Sequence, residues 1–405
     1  MKIVIMAGGK GSRIAGLNSE LPKPMLPIAG KPVLQWQIEC LKRQGFDDIT
    51  VAVGYLGNAI KDFFGNEVAF VEELEPLGTA GALYLLKDEI DEDFLLINGD
   101  IIFDVDIRRF VDAHKRNGAL ATIFTHPNDH PYDSGLVVTD GSNRVIKWLT
   151  KEEERGFCKN RVNAGMHMLS PSVLQQFKQL VKVDLDRDVL KPMAPSGMLF
   201  AYDSSEYVKD MGTPERFFET EEDIISGKTA AKNLANKQKC VFIDRDGTIN
   251  EHVGFLNDVN SFILIDGAAQ VIKRINKMGY LAIVVTNQPV IARGEATWQM
   301  LNEIHNKMET LLGEQGAYVD DIFICPHHPH KGFPGEVEEY KIECLCRKPE
   351  PGMLFAAAEK YNIDISKSYM VGDSPADTEA GKRAGCAGQF TSLKEFSEAL
   401  EGQGN

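Results

Sequence analysis

Asp244 and Asp246 stand two residues apart in Asp244-Arg245-Asp246-Gly247-Thr248, directly after the apolar run Val241-Phe242-Ile243. Two carboxylates so close at a strand end can divide nucleophile and acid roles at one phosphorus, or can simply form a surface turn. Near the start, Ile3-Val4-Ile5 leads into Met6-Ala7-Gly8-Gly9-Lys10-Gly11-Ser12-Arg13. Its glycines let backbone N–H groups approach phosphate oxygens with no Cβ in the way. The spacing is neither that of a P-loop nor that of the dinucleotide fingerprint, which demotes ATPase and dehydrogenase chemistry. Lys23 follows between Pro22 and Pro24, with Pro27 beyond, so a stiff loop can hold a cation against a polyphosphate. Cys325-Pro326-His327-His328-Pro329-His330 and Cys344-Leu345-Cys346 add two soft-ligand pairs, enough to close a tetrahedral Zn²⁺ site. His328 and His330 are alternative ligands within that group.

Each phosphate motif needs a strand that ends at the carboxyl edge of a parallel sheet, where open α/β sheets place ligands. The first part of the chain supplies short apolar runs alternating with helical periodicity: 3–6, 33–43, 49–53, 80–86, 94–97 and 119–124. A second series begins at Cys240 and continues through 281–285, 322–324 and 369–371. Between them, residues 228–239 are small and polar and read as a linker, in part helical. The expected organisation is therefore α/β throughout, with one domain over 1–227, a linker over 228–239 and a second domain over 240–405.

Bulk properties narrow the function classes. A net charge of -15 argues against nucleic acid or an anionic membrane as partner. No run approaches the roughly 20 apolar residues of a membrane span, and Met1-Lys2 runs straight into a strand, so a cytoplasmic protein is the expectation. Seven cysteines in 405 residues are too few for a disulfide scaffold.

With Glu75-Pro76-Leu77-Gly78-Thr79-Ala80-Gly81, Asn98-Gly99-Asp100 and Lys209-Asp210-Met211-Gly212-Thr213-Pro214 added, the first domain resembles the sugar-1-phosphate nucleotidyltransferases. The resemblance implies a Rossmann-like fold in which Gly8, Gly9, Gly11, Ser12 and Arg13 hold nucleotide phosphates. It implies that Lys23 neutralises charge at the α-phosphate and that Gly78, Thr79 and Ala80 belong to a base loop worded like that of guanylyltransferases. Asp100 and Asp210 would hold Mg²⁺. In such a reaction a sugar phosphate oxygen attacks the α-phosphorus in line, and pyrophosphate leaves. Arg13, Lys23 and the metal supply positioning and charge neutralisation, and no general base is needed. Asn163 and Gly165 resemble the strand beneath the sugar, and Lys151 stands where the family has a phosphate-binding lysine. The family's preceding Glu is Thr150 here, which disfavours the common hexose substrates.

Three further segments join the paired aspartates: Val284-Val285-Thr286-Asn287, Arg347-Lys348-Pro349 and Val371-Gly372-Asp373-Ser374-Pro375-Ala376-Asp377. This order resembles the haloacid dehalogenase-type phosphatases. It implies that Asp244 forms an aspartyl-phosphate, that Asp246 is acid and then base, and that Thr286 and Asn287 bind phosphoryl oxygens. Lys348 would screen them, and Mg²⁺ would be held by Asp244, the Asp246 carbonyl and Asp373. A carboxylate can attack a phosphate dianion only when such cations cancel the repulsion. The cysteine loop narrows the resemblance to the D-glycero-D-manno-heptose 1,7-bisphosphate phosphatases and their histidinol-phosphate relatives, and favours Cys325, His327, Cys344 and Cys346 as a structural Zn²⁺ set. Arg293 belongs to a loop like their substrate loop, in which Pro289-Val290 replaces the usual Ser-Gly. Arg347 is suited to a distal phosphate.

The two resemblances join through a metabolite. A heptose bisphosphatase yields heptose 1-phosphate, and a sugar-1-phosphate nucleotidyltransferase consumes one, with GTP favoured by the base loop. One rival joins a hexose-1-phosphate transferase to a histidinol-phosphate phosphatase. Another is a regulatory sensor with a decayed transferase site, against which Arg13, Lys23, Asp100 and Asp210 all argue.

Overall fold

The computed structural model describes residues 1–9, 20–332 and 334–402. By contacts the chain forms two compact units, one of residues 1–126, 137–149 and 163–233, the other of 127–136, 150–162 and 234–405.

The first unit is built on a nine-stranded mixed sheet. Strand Ile3–Met6 runs parallel to Ile49–Val53 on one side and to Phe94–Asn98 on the other. Ala69–Glu72 extends the parallel part, while Val162–Leu169 pairs antiparallel with Phe94–Asn98. Alternation along the first strand sends Ile3 and Ile5 into one apolar cluster and Val4 into another, so both faces of the sheet are covered. The expected helix over 33–43 forms as Val33–Arg43, whereas 80–86 is helical only over Leu83–Leu86. Its first residues instead pair with a neighbouring segment, described below.

The second unit carries a five-stranded all-parallel sheet in the order Asp321–Cys325, Leu281–Asn287, Cys240–Ile243, Tyr369–Val371, Gly388–Phe390. Val241 and Ile243 face one apolar cluster, Cys240 and Phe242 the other. The central strand therefore sits where strand order reverses, and its carboxyl end opens into the crevice such sheets use for ligands. Within this unit Arg161 Nη1 lies 3.1 Å from Glu309 Oε2, and both are buried. Burial of that kind is tolerated only when the charges are paired.

The segment 228–239 is ordered. It holds a short helix, Lys228–Ala231, and Leu234 is buried in the core of the second unit. Gln238 N–H donates to Asn362 O, and Asp364 N–H donates to Gln238 O, which extends the backbone pairing of that unit.

Candidate active sites

At the carboxyl end of strand Ile3–Met6 the chain turns through Ala7, Gly8 and Gly9. Gly99 N–H donates to Met6 O at 2.9 Å, and a Cβ on Gly99 would lie 2.7 Å from that oxygen, so only glycine fits. Gly11, Ser12 and Arg13 lie outside the described residues.

Lys23 heads the short turn Lys23–Met25 and is buried, with Nζ 2.7 Å from Asp100 Oδ2. Strand Tyr207–Asp210 runs antiparallel to Ile101–Asp104 with Asp210 opposite Ile101, and Met211 N–H donates to Asp100 O. The two expected metal-binding aspartates are thus neighbours across one ladder. Asp210 also accepts from Arg216 Nη1 (2.9 and 3.1 Å) and from Gly212 N–H. Arg216 lies in the helix after the motif and escaped the sequence reading, because nothing in the spacing separates it from a solvated helical cation.

The base loop is tied to residues 181–185. Val183 N–H donates to Leu77 O, Ala80 N–H donates to Val183 O, and Thr79 Oγ1 accepts from Leu185 N–H. Gly78 has φ +80°, and a Cβ there would meet Val183 O at 2.4 Å. Thr79 and Ala80 therefore hold the loop in place with their own bonds. Asn163 Nδ2 donates to Asp186 Oδ1 at 3.1 Å, while its Oδ1 accepts from Gly165 N–H. Gly165 (φ +77°) leaves room for Asn98, whose Nδ2 would lie 2.7 Å from a Cβ. Burial, reinforced by Asp184, pushes the Asp186 carboxyl up to about 6. Lys151 sits on an exposed turn of the second unit, in which Thr150 N–H donates to Glu153.

The second site surrounds the end of strand Cys240–Ile243. Lys348 Nζ donates to Asp244 Oδ1 (2.6 Å) and to Val285 O (2.7 Å). It also forms a 2.5 Å ion pair with Asp377 Oδ1 that is off hydrogen-bond alignment. Burial pushes Asp244 up and Asp377 adds to this, while Lys348 pulls it down, leaving it at about 6. Burial alone would lower Lys348, but Asp244 and Asp377 outweigh it and keep the ammonium above its ordinary range. Asp244, Asp373 and Asp377 offer oxygens all within 4.8 Å of one another. Gly247 (φ +81°) makes this possible, since a Cβ there would sit 2.1 Å from Asp373 Oδ2.

Asp246 lines the same cleft, of about 240 Å³, but its carboxylate is held from behind. Arg245 Nη2 donates to both of its oxygens (2.7 and 2.8 Å), joined by Gln288 Nε2 (2.8 Å) and Asn250 Nδ2 (3.0 Å). Arg245 is fully buried, with Nη1 3.1 Å from His305 Nε2. Burial and then Arg245 drive His305 well below its ordinary pKa, so the ring is neutral and accepts from the guanidinium. Thr286 Oγ1 accepts from Gln288, and Asn287 spends both ends of its amide on the Lys348 backbone, donating to O (3.0 Å) and accepting from N–H (3.1 Å). Asn287 thus clamps the lysine loop. At the cleft rim Phe255 stacks beneath Arg293, which also pairs with Glu295, and Arg347 donates to His327 O. Val290 is buried in the turn 288–296, where its carbonyl accepts from Glu295 and Ala296 N–H. Asp377, Arg245, Gln288, His305, His252 and Phe255 were not assigned roles from sequence.

Cys325, His327, Cys344 and Cys346 converge in the loop leading to Arg347-Lys348. Their Sγ–Sγ separations are 3.6, 3.4 and 3.3 Å, and His327 Nδ1 lies 3.3 Å from Cys346 Sγ and 3.7 Å from Cys325 Sγ. These are far beyond a disulfide. Edges of this size belong to a tetrahedron with vertices about 2.0–2.3 Å from its centre, the bond lengths of zinc to nitrogen and sulfur. The donor set therefore fits that ion.

Two independent likenesses bear on these sites. The Nucleotidyl transferase family profile matches residues 2–227, and a HAD-hydrolase-like profile matches 345–392. D-glycero-beta-D-manno-heptose-1,7-bisphosphate 7-phosphatase of Salmonella typhi is 40% identical over 151 residues, covering 37% of this chain and 78% of that protein. A probable mannose-1-phosphate guanylyltransferase of Oryza sativa subsp. japonica is 32% identical over 228 residues, covering 54% of this chain and 63% of that protein. The crystal structure of HddC from Yersinia pseudotuberculosis matches with a TM-score of 0.48 and 27% identity, over 55% of this chain and 99% of that one. The chain belongs to the nucleotidyl transferase family through its first part and, through its second, to the haloacid dehalogenase-type hydrolases that include those phosphatases. It is a bifunctional enzyme, a nucleotidyltransferase joined to a phosphomonoesterase.

Proposed function

We propose that the second unit removes the 7-phosphate of D-glycero-D-manno-heptose 1,7-bisphosphate and that the first unit transfers GMP from GTP to the resulting heptose 1-phosphate. The observation that carries this reading is the pairing of likenesses within one chain. One half is 40% identical to phosphatases whose named substrate leaves a sugar 1-phosphate, and the other belongs to a family with guanylyltransferase relatives.

In the phosphatase unit, an Asp244 oxygen bonds to phosphorus as the bond from phosphorus to the sugar oxygen breaks, and Asp246 delivers a proton to that oxygen. Water, deprotonated by Asp246, then attacks the phosphorus and frees the carboxylate. Lys348 screens the phosphoryl charge, and Asn287 fixes the loop that carries it. Asp244, Asp373 and the Asp246 carbonyl would hold Mg²⁺, a hard cation suited to oxygen donors, which would offset the negative charge of phosphate and carboxylate. Cys325, His327, Cys344 and Cys346 would hold a structural Zn²⁺ that shapes the approach to Arg347 and Lys348.

In the transferase unit, Asp100 and Asp210 would hold Mg²⁺ against the triphosphate. Lys23 would neutralise charge at the α-phosphate, and the sugar phosphate oxygen displaces pyrophosphate without a covalent enzyme intermediate. Gly8, Gly9, Gly11, Ser12 and Arg13 would cradle the phosphates, while Asn163 and Gly165 lie under the sugar.

Incubation with Mg²⁺, each anomer of heptose 1,7-bisphosphate separately and the four ribonucleoside triphosphates, read by mass spectrometry, tests both halves. GDP-heptose, phosphate and pyrophosphate from one anomer are expected. Heptose 1-phosphate without nucleotide sugar would remove the transferase assignment, and turnover of histidinol phosphate alone would remove the phosphatase one.

A further inference from the structure

The guanidinium of Arg245, fully buried, reaches both oxygens of Asp246 through Nη2 (2.7 and 2.8 Å) and Oδ1 again through Nε (3.1 Å). Nη2 also lies 3.1 Å from Gln288 Oε1, and the amide nitrogen of that glutamine donates to Asp246 Oδ2 and to Thr286 Oγ1, each at 2.8 Å. The remaining corner of the guanidinium is Nη1, and among the described residues it is answered by His305 Nε2 at 3.1 Å. A guanidinium can only donate, so Nε2 accepts and the ring proton sits on Nδ1. Burial, with Arg245 beside it, keeps the ring neutral. His305 lies midway along helix Trp298–Glu314, whose Ile304, Met308 and Leu312 enter the apolar core of the second unit. One turn on, Glu309 pairs with the buried Arg161. A rigid element therefore presents the acceptor, as groups that must be held to fractions of an ångström require.

We propose that His305 is a positioning residue of the phosphatase, holding the Asp246 carboxylate, through Arg245, in the pose from which a proton is delivered and then withdrawn. This rests on the reading of Asp246 as the acid and base of that reaction. The reaction itself creates the need for such a group. While Asp246 carries the proton, the charge that draws the guanidinium is gone and the charge-assisted bonds of the fork weaken. The buried guanidinium then keeps its place only if another acceptor holds it. A neutral imidazole does so in both halves of the cycle, because its own charge never changes. The proton passes from Asp246 to the sugar oxygen and is replaced on Asp246 from water, with His305 taking no part in the transfer.

Phosphate release by the full chain in Mg²⁺ tests this with His305→Leu, which removes the acceptor, and His305→Gln, whose Oε1 restores one. On heptose 1,7-bisphosphate His305→Leu should lower kcat about 10- to 100-fold, the range for loss of an outer-shell partner, with KM within about threefold. His305→Gln should recover most of that loss. p-Nitrophenyl phosphate separates positioning from folding. Nitrophenolate departs without a proton, so the aspartyl-phosphate still forms, while its hydrolysis still needs Asp246 as base. His305→Leu should therefore release a rapid burst of about one nitrophenol per chain, followed by a steady rate well below that of wild type. Equal kcat losses on the two substrates with no burst would overturn the proposal, as would a leucine variant with wild-type kcat or a glutamine variant as slow as the leucine one. If His305→Leu does not fold, as judged by urea unfolding, His305→Asn takes its place, its shorter side chain drawing the acceptor back from Nη1. Wild-type turnover of p-nitrophenyl phosphate without turnover of the bisphosphate would sink the substrate assignment alone, and the burst would still decide the role of His305.

Discussion

Lys348 Nζ stands 2.6 Å from Asp244 Oδ1, and the same ammonium is the cation facing the buried Asp377. One cation thus balances two carboxylates, Asp244, the proposed nucleophile, and Asp377. Lys348→Met should lower phosphatase kcat by at least about 10²–10³-fold, the loss typical of removing one preorganised electrostatic group. It should also destabilise the second unit by about 3–5 kcal/mol, because two buried carboxylates lose their partner. Phosphate release and urea unfolding check both parts. A variant with normal stability and a small kcat loss would remove Lys348 from the centre of the site.

On the proposed assignment the two chemistries use separate carboxylates. Asp244→Asn is expected to abolish phosphate release and leave pyrophosphate release unchanged, and Asp100→Asn is expected to do the reverse. Measuring both products with each variant decides this. Retention of phosphate release by Asp244→Asn would exclude an aspartyl-phosphate at that residue.

Gly247→Ala tests how tightly the acidic cluster is built. The new methyl would sit 2.1 Å from Asp373 Oδ2 on a backbone with φ +81°, so it must displace that carboxylate or unwind the turn. A rise in the Mg²⁺ concentration needed for half-maximal phosphatase activity, by about tenfold or more, is expected, in line with the loss of one well-placed metal contact. An unchanged requirement would take Asp373 out of the metal site.

What could be read from the sequence was whatever lies at the end of an apolar run. Lys23, Asp100, Asp244, Thr286 and Asp373 all follow predicted strands or stiff turns, and strand ends converge because parallel sheets put them on one edge. The cysteine loop was legible because its ligands come in close pairs. Asp377 was hidden by its local role, since it also completes a capping box with Ser374 on helix Pro375–Ala384. Arg245 reads as a spacer between two aspartates until His305, sixty residues on, arrives beside it. The membership of 127–136 and 150–162 in the second unit is a tertiary property with no local signal.

Cys344→Ser should remove bound zinc, taken from about one ion per chain to none by elemental analysis. Three remaining ligands leave an open position, so the loop loses its closed geometry. Because Cys346 is followed directly by Arg347 and Lys348, phosphatase activity should fall with the zinc while GTP binding persists. Full phosphatase activity in a zinc-free chain would show that the loop acts apart from the site.

Asp186 supplies a pH test in the first unit. Its folded pKa is raised to about 6 from an ordinary 3.8, mainly by burial. The folded state therefore holds this proton more tightly than the unfolded chain, and the group's stabilising contribution, full below about pH 4, is lost as pH rises through 6. A rise of that size corresponds to at most about 3 kcal/mol, less to the extent that the partly exposed carboxylate stays solvated. Asp186→Asn keeps an acceptor for Asn163 Nδ2 and has no charge to desolvate. It should accordingly gain stability over wild type at about pH 7.5, and that gain should shrink at about pH 4.5. A difference between the two proteins that does not change with pH, in urea unfolding, would show that Asp186 titrates normally in the folded chain.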